Sequence, residues 1–305
     1  MIHERSSVLA VVLVAAALVA TLASPLWLLL VAPLVLGVPH LAADLRYLIV
    51  RGPLRPATIV MIATPLAAII GLRAAALAGA PLEPRLEIAL GVMAIGLGAS
   101  AAGRGRPRTF ALIAVGVIAV PALLAPRLAT LVLLHGHNAV ALVIWLRWTD
   151  RGVRAPVRLA IVLGVVATIA LIMLGAFDAC LRAAPATHLD IAQLAHSFAP
   201  GAGPVAGGRV VLLYAFAQAL HYGIWLRLVP DGLARPGARG VAGLRRDFGA
   251  RGLGLLAVAS VALPVVAMAG DAARVRDTYL ALVVFHAWLE LAVIGYLVTA
   301  RARLA

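Results

Sequence analysis

The chain has 305 residues, of which 64% are hydrophobic, and its mean hydropathy is +1.05. Soluble domains contain about 45–50% apolar residues, so this composition excludes a soluble fold and predicts an α-helical membrane protein. The net charge of +14 comes from 26 basic residues, all of them arginine. They fall in short loops between apolar segments, which argues against nucleic acid as a partner. The single cysteine, Cys180, excludes an internal disulfide and a cysteine-based metal cluster.

We predict an all-α, polytopic transmembrane helical bundle that forms one integral membrane domain over residues 1–305. A helix needs about 20 apolar residues to cross a bilayer. Ten segments are candidates for spans: 7–23, 26–48, 57–77, 86–102, 109–125, 128–148, 157–178, 209–229, 252–269 and 278–300.

The first segment also has features of a signal peptide, because Arg5 precedes it and Leu22-Ala23-Ser24 follow. We favour a retained membrane anchor. Arginine placement predicts the orientation: with both termini in the cytoplasm, about 19 of the 26 arginines fall on the cytoplasmic side. This is the bias of the positive-inside rule, and it indicates a cytoplasmic membrane as the location.

Two connections are long enough to contain structure. The outer one, residues 179–208, contains the stretch Thr187–His196, in which Leu189, Ala192 and His196 share one helical face. This spacing predicts a short amphipathic helix on the outer membrane surface. The inner one, residues 230–251, is rich in glycine and arginine and predicts a basic cytoplasmic loop that faces anionic lipid.

Histidines lie at matched depth in four of the predicted spans. His40, His137, His221 and His286 all fall between about a third and two thirds of the way along spans that run in the same direction. His135 points to nearly the opposite face from His137, so only one of them can serve the same site. We predict that the four matched imidazoles converge on one metal ion, because isolated polar groups in hydrocarbon are costly.

Further polar side chains accompany these histidines. Asp44 lies one helical turn after His40, and Glu290 one turn after His286, so these carboxylates are the candidate catalytic residues, as ligands or as partners that orient a ligating imidazole. Candidates for substrate contact or for support of the ligands are Asn138, Tyr214 and Gln218. Nitrogen and oxygen ligands suit iron(II), zinc, copper or manganese. The alternative for each histidine is a hydrogen bond between helices.

The octapeptide Gly37-Val38-Pro39-His40-Leu41-Ala42-Ala43-Asp44 resembles the G-x-P-H-G-A-x-D signature of the Brp/Blh family. These are bacterial and archaeal membrane proteins that cleave β-carotene to retinal with dioxygen at a histidine-bound iron. The resemblance implies that His40 is an iron ligand and Asp44 its neighbour. Leu41 stands where the family has glycine, and the late H-x-x-x-H pair of the family has no counterpart in this chain.

Three functions fit these observations. The first is an integral-membrane, iron-dependent oxygenase that acts on an apolar, lipid-soluble substrate such as a carotenoid. The second is a transporter in which the intramembrane histidines, Asp44 and Glu290 conduct protons or cations. The third is a membrane protein with haem b, in which two histidines are axial ligands.

Overall fold

The computed structural model describes residues 2–101, 105–149, 155–182, 187, 189–230 and 240–300, and these form helices and connections without a strand. We number the helices in chain order: α1 (Ile2–Ala23), α2 (Pro25–Asp44), α3 (Pro56–Leu77), α4 (Pro84–Ala101), α5 (Arg106–Leu124), α6 (Pro126–Ile144), α7 (Ala155–Leu174), α8 (Asp178–Arg182), α9 (Ile191–Phe198), α10 (Pro204–Gly223), α11 (Gly240–Ala269), α12 (Ala272–Val283) and α13 (Phe285–Ala300).

Each of the ten predicted apolar segments falls on a helix. Among the described residues, eight helical segments are long and apolar enough to cross a membrane, several of them combining adjacent helices. The predicted span 7–23 corresponds to a shorter apolar helix, Val8–Ala23, and the predicted span 209–229 lies on α10 and its extension. The chain is therefore an all-α protein with the helices of an integral membrane protein, and ten spans with cytoplasmic termini stay a prediction.

Proline sets the start of several of these helices. Pro56 and Pro84 are the first residues of α3 and α4, and Pro204 is the first residue of α10. Proline suits this position because its missing N–H would have no partner in the first turn, and its φ already matches the helix. Gly79, with φ of +98°, and Gly175, with φ of +88°, follow the ends of α3 and α7. A left-handed glycine at this place is the usual way to end a helix.

Three helices continue into short π-helical segments. These are Leu45–Val50 after α2, Trp145–Thr149 after α6 and Ile224–Leu228 after α10. The repeated sequence Ile-Trp-Leu-Arg, at residues 144–147 and 224–227, falls at the start of the last two, with Ile144 as the final residue of α6. A π-helical turn rotates the side chains that follow it and is frequent at functional sites. Each of these segments follows a helix that carries one of the predicted metal ligands.

The chain divides into two compact units, and each is described by itself. Unit 1 comprises residues 1–40 and 141–276, and unit 2 comprises residues 41–140 and 277–305. In unit 1, α10 packs against α1, α7, α8 and α9. Its buried side chains run along most of its length, from Val211 to Tyr222, so α10 is the central element of this unit.

In unit 2, α4 packs against α3, α5 and α13. Glycines on α4 make the contact with α13 close: the Trp288 ring covers the Cα of Gly91, and the Ala292 carbonyl lies directly over Gly98. Arg73 of α3 forms an ion pair with Glu87 in the first turn of α4, with Arg73 Nη2 3.0 Å from Glu87 Oε1. This ion pair therefore joins α3 and α4 at one end of the helical hairpin.

The two long connections contain more helix than the sequence indicates. The predicted amphipathic helix is present as α9, and Asp190 caps it by accepting a hydrogen bond from Ala192 N at 2.8 Å. Its buried face is Leu194 and Phe198, whereas Ala192 and His196 are exposed. Of the predicted face, Leu189 is buried, whereas Ala192 and His196 are not, because Leu194 and Phe198 form the buried side of α9. In the predicted loop 230–251, residues 231–239 lie outside the described part. Residues 240–251 belong to α11, which bends at Gly249 with φ of +71°.

Candidate metal centre

The predicted ligands are divided between the two units. His40 on α2 and His221 on α10 belong to unit 1, while His137 on α6 and His286 on α13 belong to unit 2. Asp44 and Glu290 also belong to unit 2. Each unit therefore contains one pair of histidines, and the geometry of each pair is considered separately.

In unit 1, the two imidazoles are in direct contact. His40 Nε2 lies 3.2 Å from His221 Nε2, and the ring planes are 73° apart. Both rings are almost completely buried. Two nitrogens bound to one ion at about 2.0–2.1 Å are about 2.8–3.4 Å apart when the angle between them is near 90–110°. The observed separation therefore matches that of two ligands of one metal ion, and it also matches a hydrogen bond between the rings.

Aromatic and amide side chains surround the pair in unit 1. The rings of Tyr222 and Trp225 lie 4.9 and 6.5 Å from the His40 ring. Gln218 lies one turn before His221 and is buried, and its Oε1 has no hydrogen-bond partner among the described residues. Tyr214, two turns before His221, instead packs its ring against Phe198 at 4.3 Å. Of the two predicted supporting residues in this unit, Gln218 is the one suited to a ligand or to a metal-bound water.

In unit 2, hydrogen bonds set the tautomer of both histidines. His137 Nδ1 lies 3.2 and 3.1 Å from the carbonyl oxygens of Leu133 and Leu134, and His286 Nδ1 contacts the carbonyl oxygen of Val283. A carbonyl oxygen only accepts, so each Nδ1 carries the hydrogen. In the neutral ring, Nε2 then carries a lone pair, which is the state that binds a metal.

The break in the helix before His286 provides the hydrogen-bond acceptor for its Nδ1–H. Val284 interrupts the helix between α12 and α13, and the amide of Ala287 bonds to the carbonyl of Val284 at 3.2 Å. The carbonyl of Val283 is therefore released from the regular helical bond to residue 287 and accepts from His286 Nδ1. The rings of His137 and His286 lie 5.4 Å apart in an edge-to-face arrangement.

The two candidate catalytic carboxylates lie near each other in unit 2. Asp44 and Glu290 are completely buried, and their like charges interact. Tyr279 of α12 also lies within electrostatic range of Asp44. Buried carboxyl groups whose like charges interact need a cation or a proton to offset that charge. A metal ion held by nearby imidazoles is one such cation.

The remaining polar candidates have local partners or lie elsewhere. Asn138 is buried, and its Nδ2 donates to the carbonyl of Leu134 at 3.2 Å, so its amide is bound to its own helix. His196 is exposed on α9, and His188 lies outside the described residues. Neither observation adds a ligand to the two pairs.

No protein-family model, no curated protein and no solved structure matches this chain. The site is therefore interpreted from its own residues. The prediction that all four histidines bind one ion concerns residues of both units and stays a prediction. Tyr222, Trp225 and Tyr279 were not predicted from the sequence. The signals for the first two were their positions one and four residues after His221, which place them beside it or one turn along the same face.

Proposed function

We propose that this protein is an integral-membrane metalloenzyme, an iron-dependent oxygenase that acts on an apolar, lipid-soluble substrate. The observation that carries the proposal is the state of the four candidate histidines. His137 and His286 have their Nε2 lone pairs set by hydrogen bonds at Nδ1, and His40 and His221 have Nε2 atoms at ligand spacing. Histidines that only joined helices would not need the fixed tautomers of His137 and His286.

The donor set favours iron among the transition metals. Imidazole nitrogen with a nearby carboxylate and without thiolate is the ligand type of non-haem iron(II) enzymes that use dioxygen. Asp44 and Glu290 offset the charge of a divalent ion, and the apolar helices around them exclude water. Bound iron would supply the redox chemistry with dioxygen, and the protein would position the substrate and keep the site dry.

The substrate class follows from where the site lies. His40, His137 and His286 lie in segments that are long and apolar enough to cross a membrane. This placement suits a substrate that is dissolved in the lipid phase. The resemblance of residues 37–44 to the Brp/Blh signature supports a carotenoid or another polyene within this class. The aromatic rings of Tyr222 and Trp225 beside His40 are suitable for contact with such a chain.

The test is metal analysis followed by an oxygen-dependent assay. We expect the protein purified in mild detergent to contain iron by inductively coupled plasma mass spectrometry. We also expect the iron-loaded protein to consume dioxygen with β-carotene and to release a shorter, oxygenated product. Protein that binds no transition metal after reconstitution would contradict the proposal. A Soret band in the absorption spectrum would indicate haem b instead.

The buried carboxylate pair favours one second candidate, a proton- or cation-coupled transporter. Buried acidic groups in membrane spans commonly mark ion pathways, and Asp44 and Glu290 are completely buried. Reconstitution into liposomes with a pH-sensitive dye inside separates the two functions. Proton flux that disappears in the Glu290→Gln variant, from a protein without bound metal, would favour transport.

A further inference from the structure

The helix that carries His40 has two interior prolines, Pro33 and Pro39. Pro33 lies within α2, seven residues before His40. Proline has no N–H, so the carbonyl of Leu29, four residues earlier, loses its regular helical donor. An unpaired carbonyl buried away from water costs about 1–3 kcal/mol, and a helix opened in this way bends easily.

A buried arginine from a distant part of the chain supplies the missing donor. Arg276 Nε donates to the carbonyl oxygen of Leu29 at 2.8 Å, across 247 residues of sequence. Both residues belong to unit 1, and Arg276 is 4% exposed. A charged donor makes a stronger hydrogen bond than the amide it replaces. The bond therefore joins α12 to α2 at the point where proline has opened the helix.

The proline next to this hydrogen bond lies on the same face of α2 as His40. Seven residues are close to two helical turns, so Pro33 and His40 project from the same face. A change in the bend at Pro33 moves every residue after it, including His40. Both rings can bind one ion only while His40 Nε2 stays about 3.2 Å from His221 Nε2. A change in the bend that shifts His40 by about an ångström therefore disturbs this spacing.

We propose that Arg276 is a positioning residue for His40: it replaces the helical hydrogen bond that Pro33 removes and thereby sets the bend of α2. The role rests on the proposed function, since it assumes that His40 is a metal ligand. Arg276 itself does not bind the metal in this proposal. Its effect passes through the backbone of α2.

A double-mutant cycle tests the proposal. The variants are Arg276→Gln, Arg276→Lys, Pro33→Ala and Pro33→Ala combined with Arg276→Gln, all in the full chain. Alanine at position 33 has an N–H that bonds to the carbonyl of Leu29, so Arg276 is no longer needed there. Cobalt(II) is the probe, because its visible spectrum reports ligand geometry as well as binding. Thermal unfolding of the metal-free protein is measured in parallel.

We expect Arg276→Gln to weaken cobalt binding by about tenfold or more, the usual effect of losing support for a ligand, and to change the visible spectrum. Arg276→Lys should retain most of the binding, because it keeps a charged donor. In the Pro33→Ala background, Arg276→Gln should change binding by about twofold or less, because the carbonyl of Leu29 then has a backbone donor and the effects of the two substitutions are not additive. Equal effects of Arg276→Gln in both backgrounds would overturn the proposal.

Its failure and the failure of the proposed function give different results. Cobalt binding by the wild type, with no effect of Arg276→Gln on affinity or spectrum, rejects the positioning role and leaves the metal site. Absence of cobalt and iron binding in the wild type rejects the metal site and the positioning role together. A variant that lowers thermal stability additively in both backgrounds and leaves the cobalt spectrum unchanged has only a structural role, which also contradicts the proposal.

Discussion

At the residue scale, the histidines of unit 2 give the sharpest prediction. His137→Ala and His286→Ala should each lower bound iron by about tenfold or more. Each substitution removes an Nε2 lone pair, and in the wild type a hydrogen bond from Nδ1 fixes the tautomer in which Nε2 can bind a metal. His135→Ala is the matched control, because it lies two residues away on the same helix. Metal analysis of the three purified variants is the measurement. Equal losses in His135→Ala and His137→Ala would mean that a general disturbance of α6, rather than removal of the His137 ring, is responsible.

The pair in unit 1 leads to a second prediction, with its control on the outer loop. His40→Ala and His221→Ala should also lower bound iron, because their Nε2 atoms lie at ligand spacing. The combined variant His188→Ala, His196→Ala should leave iron unchanged, since His196 is exposed on α9. Loss of half or more of the iron in the control would place the site elsewhere in the protein.

For the pair Asp44 and Glu290, we predict opposite changes in the stability of the metal-free protein and in its affinity for iron. Glu290→Gln keeps the shape of the side chain and removes one of two like charges that are both completely buried. The metal-free protein should therefore become more stable, by about 1 kcal/mol, while its affinity for iron(II) falls. Thermal unfolding with and without iron measures both effects. A fall in the stability of the metal-free protein would contradict this account of the pair.

At the element scale, the contact between α4 and α13 depends on glycine. A Cβ at Gly98 would collide with the carbonyl of Ala292, so Gly98→Ala should destabilise the protein by about 1–3 kcal/mol through overpacking. Gly96 lies two residues away on the same helix with open space around its Cα. Gly96→Ala should be neutral or stabilising by up to about 1 kcal/mol, since alanine favours the helix.

This pair of variants also tests how α13 carries its site residues. His286 and Glu290 lie on α13 before the Ala292 contact, so displacement of α13 by Gly98→Ala should lower iron affinity as well. Chemical or thermal unfolding and metal analysis of both variants are the measurements. A Gly98→Ala protein as stable as Gly96→Ala would show that the two helices separate without cost.

At the scale of the whole molecule, the arginine distribution predicts the topology. Reporter fusions at Arg106, Arg154 and Arg239 should lie in the cytoplasm, and fusions near Pro84 and Asp190 on the opposite side. The structure describes eight helical segments that are long and apolar enough to cross a membrane, so the fusions also decide whether the segments 7–23 and 209–229 cross as well. A reporter at Arg154 on the outer side would reject the predicted orientation.

The all-α class of the protein and the positions of its helices could be predicted from the amino-acid sequence alone. Apolar segments of spanning length have few alternatives to helix in lipid, because each backbone polar group must be satisfied within its own segment. For this reason all ten predicted segments fall on helices, and prolines such as Pro56 and Pro84 stand at helix starts. The candidate ligands were also found from sequence, because an ionisable residue stands out in an apolar span. Their burial agrees with this: His40, His221, Asp44 and Glu290 are nearly or completely inaccessible.

Which of these side chains contact each other, and which tautomer each histidine adopts, depends on the tertiary structure. Sequence spacing gives the face of a helix, but not the partner that this face contacts. The structure brought His40 to His221 and His137 to His286, and turned Tyr214 toward Phe198 instead. It also placed Arg276 against the carbonyl that Pro33 leaves without a donor, 247 residues away. Such contacts depend on how distant helices pack, and packing is a property of pairs of surfaces that no local pattern in the chain contains.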